Sequence, residues 1–443
     1  MRLPPGPRLP SPIQTLGWCV QPFEMIRFCS RRYGEPFTIK FVGNRTYVVV
    51  SHPDVVRDTF SGFGNPDSVA VGNEELRPMF GDNSVFLLTG ERHRRHRHLI
   101  SELFQRKALP CYGPRISEIA DRLGGTASPG SSIPVIKFVR RMGISLIVSV
   151  VFGLREGPRF EAVRNAVEHL ITIVNGPLVF FAVLQRNLGK WSPGGRVWRA
   201  RETLMKIIDT EIAERRRQRL ASPNLLDTLV DASEKGEAYC SDEEIRDEII
   251  TVLLAGHDPT TAATCWAMYL IHKHPAVEER LREELASSSD PGETAALPYL
   301  DAVSMETLRL YPIVPAVERV LRVPAKIFDY DIPAGLRVAP CMYLTHRRPE
   351  IYPEPDSFKP ERFVNRQYSP FEFLPFGGGS RRCVGAHFAP YQIKLVLASL
   401  LRRFRFELVE NGPIRAVQKG ATIMPSARFT LRVVEIENGL SHG

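Results

Sequence analysis

Phe376-Gly377-Gly378-Gly379-Ser380-Arg381-Arg382-Cys383-Val384-Gly385-Ala386 is the stretch on which the reading of this chain turns. Three consecutive glycines strip a loop of side chains, so its backbone can approach a flat ligand closely. A helical pattern follows from His387 to Leu401, which puts Cys383 at a loop-to-helix junction, where backbone N–H groups stabilise a thiolate. A cysteine taken alone is usually a small buried apolar residue. This one stands at fixed spacing among arginines and glycines, which is not the dressing of a core position.

Upstream, Met305-Glu306-Thr307-Leu308-Arg309 lies on a helical pattern that Pro312 ends. Glu306 and Arg309 are three apart, share a face and can pair. An isolated pair of this kind is most often a surface contact worth little. Here Phe358-Lys359-Pro360-Glu361-Arg362-Phe363 brings a further arginine downstream. A basic helical segment, Gly90-Glu91-Arg92-His93-Arg94-Arg95-His96-Arg97-His98, sets His93 and Arg97 four apart on one face, and Arg319 follows the Tyr311-Pro312 turn.

The longest helical pattern starts at a capping box, Ser241-Asp242-Glu243-Glu244, and runs to His274, before Pro275. At 1.5 Å per residue it is roughly 50 Å long and must cross the whole fold. Ile249–Ala255 is apolar all round and therefore buried. Gly256, His257, Asp258, Pro259, Thr260 and Thr261 then interrupt it. A packing kink is the plain explanation. A functional site is the other, because residues that cost stability in a core tend to be kept for function.

The 443 residues are 43% hydrophobic, ample for a large core, with no linker or repeat, so one domain over 1–443 is expected. Residues 1–12 form an extended, proline-rich lead-in and 435–443 a tail. Phe37–Val42 and Thr46–Val50 flank Gly43-Asn44-Arg45 as a hairpin. Helices dominate the middle and short strands lie near both ends. That predicts a mainly α fold with small β-sheets. No apolar run approaches the ~18 residues of a membrane span, so no transmembrane anchor is expected. Seven cysteines without CxxC spacing argue against disulfide or zinc frameworks and fit the cytoplasm. The net charge of +9 comes without any nucleic-acid-binding signature, so a solvated basic surface is expected and no nucleic-acid partner.

Phe376, Gly379, Arg381, Cys383 and Gly385 fill the pattern F-x-x-G-x-R-x-C-x-G, and on it the chain closely resembles the cytochromes P450, whose haem is held by a cysteine thiolate. The resemblance runs from about Pro4 to Val433. It implies the cytochrome P450 fold, with the long central helix over haem b, and Cys383 as the metal ligand. It also implies that Phe376 packs beside the sulfur and that Arg381, His93, Arg97 and Arg319 hold the haem propionates. Glu306, Arg309 and Arg362 would be the family's structural triad. Ala255, Gly256, His257, Asp258 and Thr260 match the oxygen-activation signature A-G-x-[D/E]-T-[T/S], and Pro259 stands where it has a threonine. Proline can open the helix by leaving the Ala255 carbonyl unpaired, but it brings no hydroxyl.

By family position the pocket would include Phe180, Phe181, Leu254, Ile313, Val314, Val317, Ile423 and Met424, an apolar lining for a terpenoid, fatty acid or similar hydrophobic metabolite. The expected reaction is monooxygenation with O₂ and two electrons. The electrons would come from an acidic ferredoxin or flavodoxin-type donor with its reductase, docking near Arg94, Arg95, Arg382, Lys394 and Arg402 of a monomer. The alternative, raised by Pro259, is a haem-thiolate isomerase, dehydratase or peroxygenase.

Overall fold

The computed structural model describes residues 3–437 except 126, 175–177, 179, 180, 219–223, 237–240 and 411. The helices that position the site are α1 (Ser11–Val20), α2 (Gly90–Glu102), α3 (Val135–Phe152), α4 (Pro158–Ile173), α5 (Pro193–Arg217), α6 (Asp242–Lys273), α7 (Pro298–Leu310) and α8 (Phe388–Arg403). At the start of α6 the Ser241 hydroxyl accepts from Glu244 N–H at 3.3 Å and the Glu244 carboxylate accepts from Ser241 N–H at 2.9 Å. This reciprocal cap satisfies two otherwise orphaned donors. The helix then runs through Pro259 to Lys273.

Two glycines bring α3 and α6 together. A Cβ on Gly256 would lie 2.8 Å from Ile147 Cδ1, and one on Gly143 would lie 3.1 Å from Thr261 Oγ1. Side chains there would hold the helices apart, an overpacking that typically costs about 1–3 kcal/mol. Gly256 is therefore explained by helix packing. Further along α6, fully buried Trp266 stacks on Tyr311, with ring centres 3.7 Å apart, and donates Nε1–H to the Ile423 carbonyl at 3.1 Å.

The largest sheet runs in the order β1 (Phe37–Phe41), β2 (Arg45–Val50), β8 (Arg337–Pro340), β5 (Arg319–Leu321), β3 (Val69–Ala70), with only β2 and β8 parallel. The predicted hairpin is β1–β2, and Gly43 and Asn44 take the left-handed conformation its turn needs. A second sheet joins β4 (Ser132–Pro134), β12 (Thr430–Ile436) and β9 (Phe404–Leu408). Two hairpins, β6 (Ala325–Ile327) with β7 (Tyr330–Ile332) and β10 (Ala416–Lys419) with β11 (Thr422–Pro425), complete the strands among the described residues. The proline-rich lead-in docks on β1 through Thr38, whose N–H and hydroxyl donate to the Pro5 and Pro4 carbonyls, each at 2.8 Å. It ends at Pro10 rather than Pro12, because Pro12 is accepted in the first turn of α1. At the other end β12 pairs as far as Ile436, so residues 435 and 436 belong to a strand.

Candidate functional site

Cys383 sits five residues before α8, in an irregular turn, so the loop-to-helix junction expected from the sequence is a loop-to-turn junction. Its own N–H donates to the Phe376 carbonyl at 2.9 Å, which closes the loop on itself. Gly377 and Gly379 both take positive φ, which L side chains disfavour. A Cβ on Gly378 would lie 2.5 Å from the Phe60 ring, so the loop also needs glycine there for lack of space. A Cβ on Gly385 would meet Cys383 Sγ at 3.8 Å and no other side chain.

The thiol keeps accessible surface, yet burial is the largest influence on its acidity and pushes it up. The two facts agree if Sγ faces an internal slot, open to a solvent-sized probe but walled by protein. The Gly385 N–H and the charges of Arg97 and Arg382 act in the opposite direction and favour the thiolate. Among the described residues no group of three or more His, Cys, Asp and Glu side chains converges on a metal site. A metal held by this sulfur must therefore bring other donors with it.

Three arginines and a histidine gather around the loop. Arg381 donates to the Val85 and Leu88 carbonyls at 2.9 and 2.6 Å, and Arg97 to the Arg382 carbonyl at 2.6 Å. Arg319 donates to the Glu318 and Gly378 carbonyls at 2.8 and 3.4 Å and lies over the Phe60 ring. His93 is buried on α2. Burial lowers the guanidinium of Arg381 to about 10, assisted by Arg319 and Arg97, and that of Arg319 to about 10, opposed only by Glu318. Burial, then Arg381 and Arg97, lower His93 to about 4. None of the four forms an ion pair with a carboxylate of the described residues. Mutually repelling, partly desolvated guanidiniums without acids call for an anionic ligand. A lone sulfur facing a slot, a glycine loop and this cluster together fit a porphyrin that carries two carboxylates.

On the central helix Ala255, Gly256, Asp258 and Pro259 are partly exposed, although their neighbours on both sides are buried, so they border open space in mid-core. Thr260 is buried and its hydroxyl is turned back to the Gly256 carbonyl at 3.3 Å. Asp258 Oδ2 lies 3.2 Å from the Thr422 hydroxyl of β11, while buried Oδ1 has no hydrogen-bond partner. His257 turns Nδ1 to the Leu253 carbonyl at 2.8 Å, and its buried Nε2 lies 3.8 Å from Asp258 Oδ1. α6 is tied to α2 and its approach by His96–Glu248 at 2.8 Å and Thr251–Ser84 at 2.8 Å.

Arg309 is completely buried and uses all five of its N–H donors. Two go to Glu306, at 2.6 and 2.8 Å, and three go to the carbonyls of His346, Pro355 and Ser357. Glu306 also accepts from Lys359 N–H at 2.8 Å, and Arg362 Nε lies 3.4 Å away. The structure thus brings the three residues together, with a set of carbonyl acceptors that residue types do not reveal.

The pocket residues are less uniform. Val314 and Val317 pack with Phe60 and Leu374 beside the cysteine loop, Leu254 and Ile313 are buried with a little surface left, and Phe181 is partly buried. Phe180 lies outside the described residues. Ile423 and Met424 correct the sequence expectation: they have essentially no accessible surface and pack in the core, so they line no open space. Two of the expected docking cations are likewise engaged internally, Lys394 with Asp301 at 2.7 Å and Arg402 with the Leu285 carbonyl and Thr294. Arg94, Arg95 and Arg382 are exposed. Phe60 carries no sequence signal and was not expected at the site; Thr422 falls in the segment 421–424 expected to line the pocket, without a role of its own.

Fold and site together define a haem-thiolate oxidoreductase, and comparison with known proteins says which. The cytochrome P450 family model matches residues 4–433. The chain is 33% identical to cytochrome P450 135B1 of Mycobacterium tuberculosis, over 98% of this chain and 92% of that one. It is 30% identical to cytochrome P450 137 of the same species, over 89% and 82% of the two chains. The solved structure of retinoic acid bound cyanobacterial CYP120A1 superposes with a TM-score of 0.86 over 99% of this chain and all of that one, at 24% identity. The chain belongs to the cytochrome P450 family. It is a monooxygenase that carries haem b on a cysteine thiolate and takes electrons from a separate protein. Among the described residues no helix is long and apolar enough to cross a membrane.

Proposed function

We propose that Cys383 is the thiolate that holds the haem and that the enzyme oxidises a small apolar substrate. The observation that carries this reading is the pairing of one accessible cysteine sulfur with a cluster of arginines that lack acids. Haem b, when bound, supplies the oxygen and electron-transfer chemistry. The protein holds and shapes. Cys383 would give the sulfur, Arg381, Arg319 and Arg97 would neutralise two propionates, and neutral His93 would donate a hydrogen bond to one of them. Gly377–Gly379 would let the backbone approach the ring, and Ala255–Pro259 border open space in the core.

Asp258 is the proton-handling group. Its carboxylate reaches the Thr422 hydroxyl on one oxygen, while the other is buried, unbonded and 3.8 Å from His257 Nε2. Pro259 offers no hydroxyl, and the Thr260 hydroxyl is committed to its own helix. Leu254, Ile313, Val314, Val317 and Phe181 supply an apolar lining that selects hydrophobic molecules such as terpenoids or fatty acids. Arg94, Arg95 and Arg382 supply an exposed positive face for an acidic ferredoxin or flavodoxin-type donor.

The test is turnover of the haem-loaded enzyme with a ferredoxin, its reductase and isotopically labelled O₂, on a panel of apolar compounds chosen by their spin-state shift. Labelled oxygen in the product is expected. Product formed without reductant or O₂ would instead fit an isomerase or dehydratase, and product formed with peroxide alone a peroxygenase.

A further inference from the structure

Away from the haem site, the start of α5 is built around two glycines. A Cβ on Gly194 would collide with the Gln185 and Arg186 carbonyls, and one on Gly195 with the Gly189 carbonyl. Gly194-Gly195 therefore lets residues 185–192 lie directly against the helix. Ser192 locks that loop: its hydroxyl accepts from Gly195 N–H at 3.1 Å and Leu188 N–H at 3.0 Å, and donates to the Gly189 carbonyl at 2.8 Å. Arg199 donates to the Lys190 carbonyl and fixes the loop from the other side. The result holds Lys190 and Trp191 beside Arg196 and Arg199, which are three apart on one face of α5.

These four residues, with His169 of α4, line a cleft of ≈ 470 Å³. None of the cleft's four basic side chains forms an ion pair with a carboxylate of the described residues, whereas Arg201, on the same helix, meets Asp247 at 2.8 Å. Trp191 is 85% exposed, more than any other large apolar side chain among the described residues, and Lys190 Nζ lies 5.3 Å from its ring centre. A held loop, clustered cations without acids and an uncovered indole are the parts of a site for an anion with an apolar portion.

We propose that this cleft binds a phosphate group, carried either by a small soluble molecule or by a lipid headgroup. A phosphate monoester brings a charge near −2 and three acceptor oxygens, and a lipid phosphodiester one charge and two such oxygens; both present the tetrahedral oxygens that guanidinium and ammonium donors bind. The apolar part of the ligand lies against Trp191. The site is independent of the haem and adds to the monooxygenase reading without resting on it.

The experiment titrates the holoenzyme at low ionic strength with inorganic phosphate and, separately, with phosphatidylglycerol and phosphatidylcholine vesicles, following tryptophan emission and vesicle pelleting. A saturable change that Trp191→Phe removes and that Arg196→Glu and Lys190→Glu each weaken by about tenfold supports the site. Neither Arg196 nor Lys190 holds the loop through its side chain, so both variants should fold, and an unchanged carbon-monoxide spectrum checks that they do. Response to inorganic phosphate identifies a soluble ligand. Pelleting with phosphatidylglycerol alone, with the same residue dependence, identifies a lipid. No response in either arm, or binding that both charge reversals leave unchanged, overturns the proposal.

Discussion

Arg309 sets Nε 2.6 Å and Nη2 2.8 Å from the two carboxylate oxygens of Glu306, and neither residue has exposed surface. Because Arg309 also satisfies three carbonyls from residues 346–357, the pair pins α7 to the segment that leads into the cysteine loop. Glu306→Ala or Arg309→Ala leaves a buried charge uncompensated and should cost ~3–5 kcal/mol. Denaturant unfolding of the apoprotein, with haem content measured beside it, should show a lower midpoint and little holoprotein. A normal midpoint with full haem would contradict a structural role.

His93 makes the apoprotein sensitive to acid. Its folded value, about 4, lies below the ordinary value of 6.5, so protonation favours the unfolded state. The stability due to neutral His93 is fully present above pH 6.5 and is lost as pH falls towards 4. His93→Gln removes this component, at most about 3 kcal/mol over that window. Unfolding of both apoproteins at pH 7 and pH 4.5 checks it: the variant should lose less stability than the parent, and parallel losses would contradict the assignment.

Charge reversal at exposed Arg95 or Arg382 should slow reduction by an acidic donor, most strongly at low salt, and leave substrate-induced spin shifts unchanged. Lys394 and Arg402 are engaged internally, so reversing them should lower stability instead. Stopped-flow reduction against ionic strength separates the two groups. Rates indifferent to both Arg95→Glu and Arg382→Glu would move the docking face elsewhere.

Asp258→Asn keeps the shape of the side chain and its contact with Thr422 but can no longer cycle a proton. Turnover should fall on the order of a hundredfold, with reducing equivalents diverted to peroxide and substrate affinity retained. Pro259→Thr supplies the hydroxyl that the position lacks and should preserve or improve coupling. Well-coupled, full-rate turnover by Asp258→Asn would remove this acid from the proton path.

Much of this was legible in one dimension where the physics is local. A capping box announces itself in Ser241 and Glu244, a left-handed turn in Gly43-Asn44, and a ligand loop in the spacing from Phe376 to Gly385. The start of α5 was not legible, because Pro193-Gly194-Gly195 looks like a break until Ser192 caps it and the loop 185–192 is seen to need both glycines. The acceptors around Arg309 and Arg381 are backbone carbonyls, which every residue type provides. Ile423 and Met424 look like pocket residues because they are apolar and near the right position, but buried on both faces of β11 they are core. Asp258 was visible, and its partner Thr422, 164 residues away, was not.

Cys383 is proposed to supply the protein ligand to the haem iron, and the reduced, carbon-monoxide-bound absorption spectrum of Cys383→Ser reads that ligand out. The parent should show the strongly red-shifted band of a thiolate ligand, and the serine variant, if it retains haem, should show none of it. A variant that keeps the thiolate band would place the ligand at another sulfur and contradict the account.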